Sequence, residues 1–375
     1  MKQTDYNKKL KIRMLCSVIA TFFVAIFVFI AFEIVGTNSV FDIISSVTPV
    51  QKRQLEFGTD EDGYSYIKND TAKELVVLQL SDIHLTCSFV SKTKDALAVN
   101  AIIKLVKNIL PDLIILTGDT LYPSFMSMTI NNYNSSRAIG KLFEAFQIPW
   151  AIVFGNHDAE KFATESKSEL SEYFESLKYC LFKRGPKNIT GQGNYVIKIL
   201  NAENDLISTI FCMDSNSTIA PLKYDNIHDD QVAWYETQVQ SLLNKEGKRV
   251  PSHLFIHIPL NEYNDAWKLY ESGDDSVKYH FGKKCWWRIC CPANRGKIFE
   301  SILKLKSTKS VFCGHDHTNN FSLTYKGVRL TYGMSIDYIA YPKIKNSNWQ
   351  RGGTILKIFN NGDFTIEQKP LSSCN

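Results

Sequence analysis

Five short apolar runs in this chain each end in residues whose side chains can bind a metal ion. "ELVVLQLSD" (74–82) leads into Asp82 and His84, and "LIILTGD" (113–119) ends in Gly118 and Asp119. "WAIVFGN" (150–156) runs into Gly155, Asn156, His157 and Asp158; "SHLFIHIP" (252–259) carries His257; "SVFCGHD" (310–316) gives way to Gly314, His315, Asp316 and His317. Runs of this length, rich in Ile, Val, Leu and Phe, read as buried strands. In an α/β sheet ligands gather at the carboxyl ends of strands, so residues far apart in sequence converge on one pocket. A lone Asp-x-His or Gly-Asp is ordinary surface or turn chemistry. Five such endings in order, each terminating a strand-like run, are not explained as coincidence.

The segments between the runs fit the same architecture. "DALAVNAIIKLVKNILPD" (95–112) has apolar residues at helical spacing, with Pro111 to stop it, so residues 74–119 read as strand, helix, strand. "NYVIKI" (194–199) and "LISTIFCMD" (206–214) are further strands, and "GTILKIFNNGDFTIEQ" (353–368) is a hairpin turning at Asn361-Gly362. No internal repeat is evident. A mixed sheet that needs two layers, flanked by helices, fits the strand count better than a simple doubly wound sheet.

Ahead of this domain lies a segment of another kind. "MLCSVIATFFVAIFVFIAF" (14–32) contains no charged residue and is long enough to cross a hydrocarbon core of ~30 Å as a helix. It reads as an uncleaved signal anchor; a cleaved secretory signal and a buried globular helix are the alternatives, although "EIVGTNSV" after Phe32 offers only a poor cleavage site. The formal net charge is +5, but Lys2, Lys8, Lys9, Lys11 and Arg13 against Asp5 place +4 of it before residue 14. The remainder is close to neutral, which gives no support to nucleic-acid binding. The same basic cluster puts residues 1–13 in the cytoplasm and everything after residue 33 in the lumen or outside. Residues 34–72 are polar and mixed, and read as a juxtamembrane linker before a domain over 73–375. Sequons at Asn69, Asn134, Asn188, Asn216 and Asn320 permit glycosylation without arguing for it. Among nine cysteines, the cluster Cys285, Cys290 and Cys291 lacks a zinc-site spacing and suggests at least one disulfide, whereas Cys212 and Cys313 lie in strand-like runs as buried thiols.

"SDIH", "TGD", "FGNHD", "HIP" and "CGHDH", in that order, resemble the signature of the calcineurin-like metallophosphoesterases over roughly residues 74–368. "HLFIHIPLNEY", "FCGHDHTNNF", "VRLTYG" and "WQRGG" are similar to a purple-acid-phosphatase-like branch of plants and fungi. The resemblance implies a four-layer αββα sandwich of two mixed sheets with a dinuclear metal centre at one edge. It implies Asp82, His84, Asp119 and His317 on one metal and Asp119, Asn156, His257 and His315 on the other, with Asp119 bridging. Carboxylate, amide and imidazole donors together suit two ions of Mn, Fe or Zn. Asp316 is expected behind these ligands, as a partner to an imidazole.

The activity implied is hydrolysis of a phosphate ester by attack of a metal-bridging hydroxide, most simply as a phosphomonoesterase. His157, next to a ligand but not one in the family pattern, would assist the leaving group, with Asp158 orienting it. A phosphodiesterase acting on nucleotides or lipid headgroups is the alternative, and a non-catalytic membrane-anchored binding protein of the same fold is a further one. Purple acid phosphatases proper carry Asp-x-Gly where this chain has Asp82-Ile83-His84, and a Tyr ligand at the position of Tyr122 in "GDTLY". With His84 present, Tyr122 reads as a pocket-lining residue. His253, His228 and His280 read as non-ligands, and Trp286 and Trp287 as packing residues.

Overall fold

Uninterrupted apolar runs form the interior strands, because a strand covered on both faces has no solvent side to fill with polar residues. The computed structural model describes residues 2–374 apart from 51–52, 54, 70–72, 285–287 and 342–349. Its strands are Glu56–Thr59 (β1), Ser65–Lys68 (β2), Leu75–Leu80 (β3), Leu113–Thr117 (β4), Trp150–Val153 (β5), Tyr195–Leu200 (β6), Leu206–Cys212 (β7) and Thr218–Ala220 (β8). They continue as Lys223–Tyr224 (β9), Ser252–Phe255 (β10), Val277–Phe281 (β11), Thr308–Cys313 (β12), Ser322–Tyr325 (β13), Val328–Tyr332 (β14), Gly352–Ile358 (β15) and Phe364–Pro370 (β16). The helices are Lys2–Ser45 (α1), Lys92–Ile109 (α2), Asn132–Phe146 (α3), Lys167–Glu175 (α4), Asp229–Glu246 (α5), Asn261–Glu271 (α6) and Ile298–Leu305 (α7).

Two mixed sheets face each other. One has the order β16-β15-β3-β4-β5, the other β1-β2-β6-β7-β10-β12-β14-β13-β11, and β8-β9 is a separate ribbon. β3, β4 and β5 run parallel, as do β7, β10, β12 and β14, so the ends of these seven strands carry the loops that matter. Alternation divides the second sheet between two cores: Phe255 and Phe312, their rings stacked at 4.4 Å, face the first sheet, while Leu254, Val311 and Cys313 face outward to Tyr235, Tyr263 and Ile302 on α5, α6 and α7. On the far side of the first sheet, Val99, Ile102 and Val106 of α2 and Ile139 and Phe143 of α3 close the other outer layer. Helix, sheet, sheet, helix is the expected four-layer sandwich, and the hairpin at Asn361-Gly362 is the β15–β16 turn, with Gly362 at φ +83°.

Residues 34–72 differ from the expected linker. α1 continues without a break to Ser45, and β1 and β2 form an antiparallel hairpin on the edge of the larger sheet. The reason is legible in hindsight: Val40 and Ile44 sit at i and i+4 and bury against the domain, which extends the helix beyond the apolar stretch. Of the sequons, Asn69, Asn216 and Asn320 are buried, Asn134 is half-buried and Asn188 is exposed. Cys212 and Cys313 are buried thiols as expected. Cys290 and Cys291 are free, against the expected disulfide, and Cys285, Trp286 and Trp287 lie outside the described residues.

Candidate metal centre

The site lies where the loops after β3, β4, β5, β10 and β12 meet. Main-chain hydrogen bonds lace these loops together before any side chain is considered: Asp82 N to Gly118 O (3.1 Å), His84 N to Asp119 O (2.9 Å) and Gly314 N to His257 O (3.0 Å). Asp82, His84, Asp119 and His315 all adopt positive φ, between 47° and 76°. Non-glycine residues avoid this region, and four in one pocket mark a backbone bent to aim side chains inward. Gly118, at φ +80°, must be glycine for a second reason: a Cβ there would lie 2.5 Å from His257 Nδ1. Gly155 is needed for close approach alone, since its Cβ would run into the Asp119 amide and carboxylate.

Among the described residues, three groups hold ligand atoms within 4.8 Å of one another: Asp82, His84 and His317; His84, Asp119 and His157; and Asp119, His257 and His315. Asp119 belongs to two of them. Its Oδ2 lies 3.1 Å from His257 Nε2 and 3.7 Å from His84 Nε2, and its Oδ1 accepts the His157 main-chain N–H at 2.8 Å. His257 Nε2 also lies 3.2 Å from Asn156 Oδ1 and 3.3 Å from His315 Nδ1. His317 Nε2 faces Asp82 Oδ1 at 3.4 Å. All seven sequence-expected ligand residues therefore converge.

Burial and charge act oppositely on these imidazoles. Burial pushes the His84 ring down to about 3, and drives His315 well below its ordinary value. Burial also pulls on His257 and His317, but Asp119 reverses it for the first and Asp82, with Asp337, for the second, and each is pushed up to about 9. The donors fit a pair of cations. Both ring nitrogens of His84 and Nε2 of His315 are buried without a hydrogen-bond partner, whereas buried polar atoms are normally paired. Neutral imidazole nitrogens beside carboxylates are what Mn, Fe or Zn would bind.

Two expectations about the surrounding residues are corrected. Asp158 does not orient His157: its two oxygens accept the main-chain N–H groups of Leu121 (2.7 Å) and Gly155 (2.6 Å), fixing the loops beneath the site. The residue on the His157 ring is Glu160, whose Oε1 lies 2.7 Å from Nδ1. Asp316 partners no imidazole; its Oδ2 accepts the Tyr332 hydroxyl (2.7 Å) and the Cys290 N–H (3.0 Å). The carboxylate behind His317 is Asp337, 3.1 Å from Nδ1 and itself tied down by the N–H groups of Ile339, Ala340 and Tyr341. Asp337 follows β14 as the expected ligands follow their strands, but five residues on and beside no histidine in the sequence.

Tyr122 walls the pocket, its ring 4.8 Å from His84 and 5.1 Å from His157. Tyr224 packs edge-on against His315 at 4.2 Å. His253 is a core residue bonded to Ser310 Oγ, His228 precedes α5 and meets Asp225, and His280 meets Thr324. His157 differs from the buried donors in being one-third exposed.

Residues 75–319 match the family model of the calcineurin-like phosphoesterases. Probable inactive purple acid phosphatase 28 of Arabidopsis thaliana is 26% identical over 312 residues, spanning 75% of this chain and 74% of the plant protein. Phosphatase DCR2 of Saccharomyces cerevisiae is 31% identical over 238 residues, which are 60% of this chain and only 39% of the yeast protein. A crystal structure of a dimetal phosphatase from Danio rerio shares the fold at a TM-score of 0.50 and 11% identity, over 80% of this chain and 97% of that one. A family model matched over well more than half the chain, by residues that meet in one pocket, makes this chain a member of the calcineurin-like phosphoesterase family.

Proposed function

We propose that this protein hydrolyses phosphate esters with two metal ions, one held by Asp82, His84, Asp119 and His317 and the other by Asp119, Asn156, His257 and His315. The observation that carries the reading is the convergence of seven donors from five strand ends around imidazole nitrogens that have no protein partner. When bound, such a pair of ions neutralises phosphoryl oxygens and activates water at neutral pH. The name of the Arabidopsis relative includes the word inactive; the complete donor set here supports turnover.

The protein's own residues do the rest. Asp119 lies between the two donor groups and holds the His157 main chain with Oδ1, so the ester-facing residue is registered against the centre. Glu160 accepts from His157 Nδ1, which leaves Nε2 to hold and deliver a proton. Burial lowers the His157 pKa, and Asp119 and Glu160 outweigh it and raise it, a shift toward the protonated ring that a donor to the leaving oxygen requires. Tyr122 shields one side of the ring from water.

The apolar helix gives the protein a place. α1 is long and apolar enough to cross a membrane, and its residues 5–30 are exposed in the structure, which supports a membrane span over a buried core helix. The basic cluster before it supports a cytosolic N-terminus, with the catalytic domain lumenal or extracellular. Protease added to sealed microsomes should leave the domain intact. The test of activity is hydrolysis of 4-nitrophenyl phosphate by protein stripped of metal and reloaded with Mn, Fe or Zn. Turnover that depends on metal is expected; metal bound at two ions per chain without turnover on monoesters or diesters would overturn the reading.

A further inference from the structure

The apolar helix is locked to the domain. Phe32 stacks on Phe89 at 4.5 Å, Asn131 Nδ2 donates to Glu33 Oε2 (3.4 Å), Thr37 Oγ1 donates to Cys87 O (3.4 Å), and Gly36 lies so close to the Ser88 backbone that no Cβ would fit. Because α1 runs unbroken from Lys2 to Ser45, the direction fixed at residues 32–44 is carried into the apolar stretch. The orientation of the domain on a bilayer is then a property of the fold.

At the level where the uncharged stretch ends, the helix meets a loop that is itself apolar. Phe29 and Phe32 share a shallow cleft with Phe89, Val90, Ser127 and Met128. Beyond the cleft Phe125, Met126 and Met128 are 70%, 88% and 57% exposed, and Phe125 packs on Phe162 at 4.5 Å. Scattered exposed apolar residues are ordinary; a contiguous tip of them is not. The tip is preformed, since Ser124 caps its turn by accepting the Met126 N–H at 3.2 Å and Ser124 N bonds Thr129 O at 2.8 Å. Lys92 lies with its ammonium 4.5 Å over the Phe89 ring, an apolar body with a charged end.

These same loops build the mouth of the site. Tyr122, against His84 and His157, precedes the tip by three residues, and Phe162 follows Glu160, the partner of His157, by two. We propose that the tip Phe125–Met128 together with Phe162 is a membrane-contact surface, inserted into the interface of the bilayer that α1 crosses, and that the substrate is a phosphate ester borne by a lipid of that membrane. The occupant is a bilayer because the tip is continuous with the apolar helix and lies at the end of a stretch that fills the hydrocarbon core, the depth at which aromatic side chains gather. The proposal rests on the phosphoesterase reading for its substrate, and on the helix alone for its contact.

The test uses the full chain reconstituted in phosphatidylcholine vesicles containing phosphatidic acid. With brominated lipid, Met126→Trp should show quenching beyond that of the unsubstituted protein, and Gln240→Trp on the exposed face of α5 should show none. The triple variant F125S/M126S/M128S should lose about tenfold or more of its rate on vesicle-borne phosphatidic acid, as lost apolar burial weakens interfacial seating, and keep its rate on soluble 4-nitrophenyl phosphate. No extra quenching at position 126 would overturn the contact. Equal rates for the triple variant and the parent on vesicle lipid would overturn the lipid substrate. Quenching without hydrolysis of either substrate would uphold the contact and reject the phosphoesterase reading on which the substrate rests.

Discussion

His317 and His257 are both buried with Nε2 against a carboxylate, yet the protein holds their far nitrogens by different means. His317 Nδ1 meets the Asp337 side chain at 3.1 Å, whereas His257 Nδ1 meets the Thr117 main-chain carbonyl at 2.9 Å. A backbone carbonyl at the end of β4 cannot be changed without changing the strand, and Gly118 beside it leaves no room for a side chain. A carboxylate can be changed alone. One half of the centre is thus fixed by the fold and the other by a replaceable charge, although both arrangements set the imidazole tautomer that a metal requires.

The comparison is broken most completely at the residue the two halves share. Asp119→Asn removes the charge between them, and should release metal from both sides and cut kcat/KM by about 10³-fold or more, since each ion is worth several kcal/mol to the transition state. Elemental analysis beside the rate checks it; near-native metal in an inactive variant would remove Asp119 as the bridge. His157→Ala should lower kcat about 10²-fold on an alkyl phosphate while both halves keep their metal. The loss should shrink on a nitrophenyl ester, whose departing oxygen needs little protonation. Equal losses on the two esters would make His157 a phosphate binder and not a proton donor.

The ligands of both halves are exposed by the sequence, but the groups behind them are not. Asn156, His257 and His315 each sit within four residues of the end of a strand-like run, and the backbone that orients them needs no further signal. Asp337 stands in "YGMSIDY", five residues after β14, with no histidine near it in sequence. Its role depends on β14 lying next to β12 in the sheet, which only the sheet order reveals. Asp158 and Asp316 are misleading for the converse reason. Each adjoins a functional histidine in the chain, but neighbours on a tight loop point apart, so each turns away to main-chain or tyrosine donors while Glu160 and Asp337 reach the rings. The extension of α1 past residue 33 was hidden because Gly36, Thr37, Asn38 and Ser39 interrupt the apolar run before Val40, Phe41, Ile43 and Ile44 resume it against the domain.

Asp337→Asn sharpens the comparison by weakening one half only. Metal affinity on the Asp82 side should fall about 10–100-fold, as for other carboxylates behind a ligating imidazole, with the Asn156 side unchanged. A proton count supplies a second reading. Burial lowers the His317 pKa, but Asp82 and Asp337 bring it up to about 9, so in the metal-free protein this ring is protonated at neutral pH and must lose its proton when an ion binds. Without the Asp337 charge that pKa drops, and metal uptake at pH 7.5 should release fewer protons on that side. Calorimetry in buffers of different ionisation enthalpy measures the difference; an unchanged proton count would mean that Asp82 alone sets the His317 pKa.

The smallest expected effect belongs to Asp316, and it separates being next to a ligand in sequence from being next to it in space. Asp316 stands between His315 and His317, yet its Oδ2 accepts from Tyr332 and Cys290, so it joins β14 to the loop at residues 288–292 and touches neither ring. Asp316→Asn keeps an oxygen that, placed where Oδ2 stands, can accept both hydrogen bonds, now without the charge. Metal content and rate should therefore stay within about twofold of the parent, while stability falls by about 0.5–1.5 kcal/mol as two bonds to a charged acceptor become bonds to a neutral one. Denaturant unfolding of the metal-loaded protein reads the second quantity and the ester assay the first. A loss of metal comparable to that of Asp337→Asn would show that the charge of Asp316 reaches the His317 side through the Tyr332 hydroxyl, and the contrast between a replaceable and a fixed half would then need a third carboxylate.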